Sequence, residues 1–420
     1  MSFHIKDESE RCLNCKKPLC RTGCPIQTPI PTMIQLFKEG KLQEAGEMLF
    51  ENNPMSLVCS LVCDHENQCE GHCILGRKSH GVDVGAIEHY ISNTVFDTLE
   101  IKCKPKNGKK VAVIGAGPAG ITIAILLTKE GYEVTIFDAK EKIGGVLQYG
   151  IPEFRLPKTI LERYKKKLLE IGVKIRPNTA IGSALEIKDL ARDGYQSVFI
   201  GTGVWRPKTL GIKGETLGNV HYAIDYLVNP DVYDLGESLA IIGMGNSAMD
   251  VARTAIRHGV RRVTLYARRG KANASETEVM YTKMDGASFE FHKQIIEIND
   301  EGPVFAEIYY DEEGNQTGIS EELEQVKADS TIISVSQGPK SKLVNTTDGL
   351  EASKNGLLMI DEKGQTTIPG IFASGDVVLG AKTVVEAVAF SKIVAKAMDE
   401  YMQNEESIPL VEALKQSAQK

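Results

Sequence analysis

KVAVIGAGPAG, residues 110–120, is the stretch on which the fold turns. Val111–Ile114 is a short apolar run of the kind a buried strand needs. Gly115, Gly117 and Gly120 follow at G-x-G-x-x-G spacing, with Pro118 and Ala119 opening a helix that runs to about Glu130. The first glycine permits a tight turn, and the second lets a pyrophosphate approach the backbone at the helix N-terminus. The third lets helix and strand lie close together. A second strand, Glu133–Phe137, ends at Asp138, which is placed to accept from a ribose 2′-OH. Strand, turn, helix, strand and acid are all in the order that the dinucleotide fingerprint requires.

The pattern returns about 130 residues later: strand Leu239–Ile242, then Gly243, Gly245, Asn246, Ser247 and Ala248, a helix to about His258, and strand Arg262–Ala267. Two related units so far apart imply two nucleotide-binding domains and not a solenoid. Their partner strands end differently. VTIFD closes on the acid Asp138, whereas VTLYA closes on Ala267 and is followed by Arg268 and Arg269. Loss of the acid and gain of paired guanidiniums suits a 2′-phosphate, so NADPH is favoured and NADH is the alternative. The competing reading of the two arginines is a solvated basic edge. A third strand–Gly–Asp–helix stretch, Ile371–Asp376 and then Thr383–Tyr401, closes the pattern, and Gln403–Lys420 reads as a frayed or weakly helical tail.

Upstream, Cys12, Cys15, Cys20 and Cys24-Pro25 form one run, and Cys59, Cys63, Cys69 and Cys73 another. Cys103 is the ninth cysteine, and none follows it. The N-terminus MSFHIKDESERC is too polar for a signal peptide, which predicts a cytoplasmic, reducing location and metal binding in preference to disulfides. C-x2-C-x4-C-x3-C-P resembles ferredoxin runs; zinc is the competing reading, but the second run lacks the repeated C-x2-C of zinc ribbons. Short amphipathic helices are expected over Thr32–Lys38, Leu42–Phe50 and residues 85–100, with a linker over 103–110. A formal charge of −7 argues against a nucleic-acid surface, and no apolar run is long enough to span a membrane.

RCLNCKKPLCRTGCPIQTPI, ENNPMSLVCSLVCDHENQCEGHC and VDVGAIEHYI resemble the N-terminal cluster domain shared by glutamate synthase small subunits and dihydropyrimidine dehydrogenases. That resemblance implies two [4Fe–4S] clusters with interleaved ligands: Cys12, Cys15, Cys20 and Cys73 on one, and Cys24, Cys63 and Cys69 on the other with Glu88 as the fourth ligand. Cys59 and Cys103 match no ligand position. Gly144-Gly145, six residues after Asp138, and GDVVLGAKTVVEAV at 375–388, which includes Gly375, Asp376, Lys382, Thr383 and Val384, resemble the FAD-contacting segments of two-dinucleotide flavoproteins. Arg155, in YGIPEFRLP, matches a position near the isoalloxazine, and TGVWRP at 202–207 resembles the crossover between nucleotide domains.

The resemblance covers nearly the whole chain, particularly that to the separate flavin and iron–sulfur subunit of bacterial dihydropyrimidine dehydrogenase. It implies an α/β chain with an all-helical double-cluster domain at 1–104, a discontinuous FAD domain at 105–235 and 336–420, and an inserted NAD(P)H domain at 236–335. The expected chemistry is hydride exchange between nicotinamide and flavin, with one-electron transfer through the clusters and no acid–base pair. With no FMN barrel or glutaminase in the chain, a catalytic or electron-accepting partner subunit, or ferredoxin, would take the electrons. The NADPH-side subunit of a bifurcating ferredoxin:NADP oxidoreductase is the alternative within this class. A self-contained disulfide reductase needs a redox cysteine near the flavin, and residues 104–420 contain none. A zinc-stabilised nucleotide-binding module is the remaining reading.

Overall fold

The computed structural model describes residues 2–419 and divides into two compact units. One comprises the residues up to Gln148, Glu153–Val204 and those from Gly338 on; the other comprises Tyr149–Pro152 and Trp205–Gln337.

In the first unit Lys110–Ile114 is buried from Val111 onward and pairs in parallel with Glu133–Phe137 on one side and Tyr195–Ile200 on the other. Burial on both faces is why the strand reads as an unbroken apolar run instead of an alternating one. Lys174–Arg176 and Ile371–Ala373 complete the edges of a five-stranded parallel sheet. The helices Pro118–Lys129 and Val384–Gln403 pack against each other on that sheet.

Ahead of the sheet lie the helices Ile30–Lys38, Leu42–Asn52, Ser56–Val62 and Val84–Val95. Val84, Ile87, Ile91 and Val95 recur at helical spacing and are all buried. Asp83 caps that helix by accepting from the Ala86 N–H at 2.8 Å. The helical block is fastened to the rest of the unit largely through backbone carbonyls. Tyr164 Oη donates to Pro54 O at 2.9 Å, and Lys167 Nζ donates to Asp97 O at 3.1 Å and Leu99 O at 2.7 Å. Lys392 Nζ donates to Asn52 O at 2.7 Å, and Arg163 spans the Asn93 carbonyl and the Asp97 carboxylate.

The second unit carries its own five-stranded parallel sheet, in the order Val220–Tyr222, Ser330–Ile333, Ser238–Ile242, Arg262–Tyr266, Ser288–Glu290. An antiparallel ribbon of Lys293–Asn299, Gly302–Tyr310 and Gln316–Gln325 lies beside it. Tyr266 stacks on Phe305 with centroids 4.5 Å apart, tying ribbon to sheet.

Three features depart from the sequence reading. Val220–Tyr222 was expected in the first nucleotide domain but pairs with Ser330–Ile333 in the second sheet, a pairing three residues are too few to announce. The antiparallel ribbon had no counterpart among the expected elements. Of the two readings of the tail, frayed or weakly helical, the structure takes the helical one, and what departs is its docking: Leu410–Ser417 is a helix whose Leu410 and Ala413 are buried in the same core cluster as Ile187, Leu190 and Ala191. The i, i+3 pair was present in the sequence, but a polar surround hid it. Among the described residues no helix is long and apolar enough to cross a membrane.

Leu410→Ala is expected to lower unfolding stability by about 2–4 kcal/mol, the usual cost of a buried leucine truncation. Urea denaturation checks this; a change within about 0.5 kcal/mol, the range of a surface substitution, would show the helix to be peripheral.

Candidate functional site

The glycine turn after Lys110–Ile114 leaves no room for side chains. Gly115 has φ +104°, and a Cβ there would lie 2.4 Å from the Gly201 carbonyl oxygen. A Cβ at Gly120 would lie 1.9 Å from the Gly115 carbonyl oxygen, so the third glycine sets how closely helix and strand approach. At Gly117, which precedes Pro118–Lys129, the nearest atom to a Cβ would be Gly145 Cα at 4.0 Å. Two backbones thus face one another with a side-chain-free gap at a helix N-terminus, the arrangement a pyrophosphate needs.

Asp138 does more locally than the sequence implies. Its carboxylate accepts from Ala116 N at 2.6 Å and from Lys140 N at 2.7 Å, pinning the glycine turn. Each oxygen retains a lone pair for a ribose hydroxyl. Gly144 N donates to Ala116 O at 2.7 Å, drawing Gly144-Gly145 to the same turn. Gly375 lies against Ala119, with 3.1 Å between its would-be Cβ and that of the alanine, so the Gly375-Asp376 stretch joins the group. Burial pushes the Asp376 carboxyl up to about 6, partly offset by its bond from Lys382 N. Thr383 and Glu386 form a capping box at the start of Val384–Gln403. Lys382 is exposed, and Arg155 is partly buried beside the fully buried Leu156.

In the helical block Cys12, Cys15, Cys20 and Cys73 line a single cavity of about 100 Å³, walled by Ile30, Ile34, Val82 and Val84. Burial raises the Cys12 thiol and pushes Cys20 up to about 11. Cys63 is raised by its hydrogen bond with Cys59 and by burial, with Glu88 and Cys69 close enough to add charge repulsion. Cys69 is raised by burial, with Glu88 and Cys24 among the neighbouring charges. Cys24, Cys63, Cys69 and Glu88 therefore form a second group. Glu88 is 7% exposed, and burial alone pushes it up to about 8. Among the described residues it has no hydrogen-bond or ion-pair partner. A buried carboxylate amid thiols is stable only beside an electropositive centre or when protonated. Both groups fit an iron–sulfur cluster, which supplies that charge. Among the described residues no three or more His, Cys, Asp and Glu side chains are placed to hold a single metal ion.

Cys59, which matches no ligand position, is a buried free thiol on Ser56–Val62, one helical turn before Cys63. Cys103 is exposed and belongs to neither group.

In the second unit Gly243 repeats the constraint: φ is +124°, and a Cβ would lie 2.2 Å from the Ser334 carbonyl oxygen. Gly245, ahead of helix Asn246–Arg257, has open space, and the fully buried Ala248 takes the third glycine's place. Asn246 and Ser247 are exposed at the helix start, where Asn246 Oδ1 accepts from Ser275 N at 3.1 Å. Arg268 and Arg269 are exposed, without an ion-pair partner among the described residues. Tyr310, which sequence reasoning missed, donates its hydroxyl to Arg268 O at 2.8 Å, and its ring lies tilted against His292 with centroids 4.9 Å apart, the His292 ring in turn lying against Gly270. No local pattern could announce residues that the ribbon brings in from 40 positions away.

The pyridine nucleotide–disulphide oxidoreductase family model matches residues 109–391, with a further match over 85–189, and the model for dihydropyrimidine dehydrogenase domain II, 4Fe–4S cluster, matches residues 2–99. The glutamate synthase [NADPH] small chain of Halomonas elongata is 34% identical over 426 residues, covering 94% of this chain and 90% of the relative. The NAD-dependent dihydropyrimidine dehydrogenase subunit PreT of Salmonella typhimurium is 32% identical, covering 94% of each. Among solved structures, Mycobacterium tuberculosis FprA in complex with NADPH matches with TM-score 0.60 at 18% identity, covering 75% of this chain and 89% of that one. That likeness is one of fold. The chain belongs to the glutamate synthase small-chain family of pyridine nucleotide–disulphide oxidoreductases, and is an NAD(P)H-dependent flavin oxidoreductase with a 4Fe–4S domain.

Proposed function

We propose that this chain is the electron-exchanging subunit of a larger enzyme, working between NADPH, in preference to NADH, and a partner subunit through FAD and two [4Fe–4S] clusters. The observation that carries the reading is the cavity lined by Cys12, Cys15, Cys20 and Cys73 within the same compact unit as the Gly115–Gly120 cradle. The naming of its relatives as a small chain and a subunit supports a partner.

Bound in these places, FAD supplies the exchange between two-electron hydride chemistry and single electrons, and the clusters supply their path. The residues bind, orient and tune. Gly115, Gly117, Ala119 and Gly120 present backbone N–H groups to the FAD pyrophosphate at the helix terminus that Pro118, which has no N–H of its own, opens; Gly144 and Gly145 close the far side, and Asp138 holds the turn while accepting from the ribose. Asp376 accepts from the ribityl–phosphate region, and the N-terminus of Val384–Gln403 offers positive partial charge to the flavin. Cys12, Cys15, Cys20 and Cys73 hold one cluster; Cys24, Cys63, Cys69 and Glu88 hold the other. Gly243, Gly245, Asn246, Ser247 and Ala248 receive the nicotinamide dinucleotide, with Arg268 and Arg269 on its 2′-phosphate.

Purified anaerobically, the protein is expected to carry eight irons per FAD. Glu88→Ala should shift or abolish one cluster's EPR signal and leave the other intact; two unaltered signals with unaltered potentials would sink the Glu88 assignment.

Arg268→Ala with Arg269→Ala should raise KM for NADPH about tenfold or more and leave KM for NADH nearly unchanged, in keeping with the loss of charge-assisted bonds worth about 1.5–3 kcal/mol each. Steady-state kinetics with both cofactors decide it, and equal effects on the two would overturn the 2′-phosphate role.

Asp376 has a folded-state pKa of about 6 against an ordinary 3.8. Its protonated form therefore stabilises the flavin-free fold below about pH 4, and that contribution is lost as pH rises through about 6. Asp376→Asn should make flavin-free protein more stable at pH 7.5 by about 2 kcal/mol, with the gain vanishing near pH 4, when both are unfolded in urea. A gain independent of pH would remove burial as the cause.

A further inference from the structure

The cavity of Cys12, Cys15, Cys20 and Cys73 opens beside an unusual surface. Leu13 is 62% exposed and Leu19 42% exposed, and both line the cavity. Lys17 lines the cavity with them, and Lys16 and Arg21 from the first cysteine run, and Arg77 and Lys78 just past Cys73, follow its lining residues closely along the chain; all five are exposed. Residues 12–24 and 72–81 contain no Asp or Glu, although the whole chain has a formal charge of −7. Among the described residues none of these five cations has an ion-pair partner. Elsewhere on the flank the cations are neutralised: Arg11 pairs with Glu8, and Lys38 with Glu10 at 2.8 Å.

We infer that this rim is the docking face for a redox protein whose own centre is surrounded by acidic side chains. The inference rests on the reading of the four cysteines as cluster ligands. Two exposed leucines supply a small apolar contact, and unpaired cations around them supply orientation and on-rate, the balance found in transient electron-transfer contacts of small area. Docking here places the partner's centre next to the cluster cavity instead of at an arbitrary point of the surface. A second copy of this chain or an anionic vesicle would be drawn by the charge alone; the leucines and the cavity beneath them favour a protein with a redox centre.

The test uses holoprotein and an acidic [2Fe–2S] ferredoxin, with cationic cytochrome c as the opposite-charge control. Binding of oxidised ferredoxin is measured by calorimetry at low and at physiological ionic strength. Electron transfer is followed as NADPH formation: two chemically reduced ferredoxins give two electrons, and NADP+ with one proton takes them up. The expected results are a Kd that rises roughly tenfold or more with salt, and a second loss of similar size in the triple variant Lys16→Glu, Arg21→Glu, Lys78→Glu, both within the range of electrostatic steering. Cytochrome c should bind the wild-type rim no better than it binds the variant. Iron content and EPR spectra report separately whether the clusters are in place, so a failure of the cluster reading is distinguishable. With both clusters present, the inference is overturned by any of three results: no ferredoxin binding at low salt, binding indifferent to the triple reversal, or a reversal that instead abolishes self-association or adsorption to anionic vesicles.

Discussion

The donation of Tyr164 and Lys167 to the carbonyls of Pro54, Asp97 and Leu99 is the constraint on which the arrangement of this molecule depends. These carbonyls lie where helices of the cysteine block end, and an unmet carbonyl in a buried junction costs about 1–3 kcal/mol. By answering them from a helix of the flavin-type half, the chain makes the two regions one compact unit. Phe96 lies 4.6 Å from the Tyr164 ring, so apolar contact and hydrogen bonding act at the same place. A path for single electrons requires fixed, short separations, and a linker of the composition Lys-Pro-Lys-Asn-Gly at 104–108 could not provide them alone.

A second constraint is electrostatic. Thiols at Cys12, Cys20, Cys63 and Cys69 are all raised by their surroundings, and Glu88 is held beside Cys63 and Cys69 without a hydrogen-bond donor among the described residues. Such a cluster of acids opposes its own ionisation, and iron reverses the balance by favouring the deprotonated ligands. In a 4Fe–4S domain, ordering of the helical block would thereby be linked to binding of iron–sulfur. The two glycine turns work differently: their tight contacts are between backbone atoms and are satisfied without any ligand.

Much of this was legible in the residues. Gly115–Gly120, Asp138 and Gly243–Ala248 announced two dinucleotide sites because their steric demands are local: only glycine tolerates φ near +104° with a carbonyl 2.4 Å from where a Cβ would be. The central parallel strands Val111–Ile114 and Leu239–Ile242 are visible as short apolar runs because both their faces are buried. The ribbon over 293–325 and the strand Val220–Tyr222 were not, since their stability comes from partners distant in sequence. The docking of helix Leu410–Ser417 was hidden for the same reason: its two buried residues matter only where Ile187 and Leu190 meet them.

The two glycine turns, the charge difference between Asp138 and Arg268-Arg269, and the two cysteine runs can be read along the chain, because each is a property of neighbouring residues. Family resemblance had already grouped Cys73 with Cys12, Cys15 and Cys20, and Glu88 with Cys63 and Cys69; the cavity that the first four line, the burial of Glu88 and the bond from Tyr310 to the Arg268 carbonyl come from the folded chain. Spacing limits which residues can meet locally. Burial, which sets the charge state of a thiol or a carboxyl, is created by every element packed around it, and so exists only once the chain has folded.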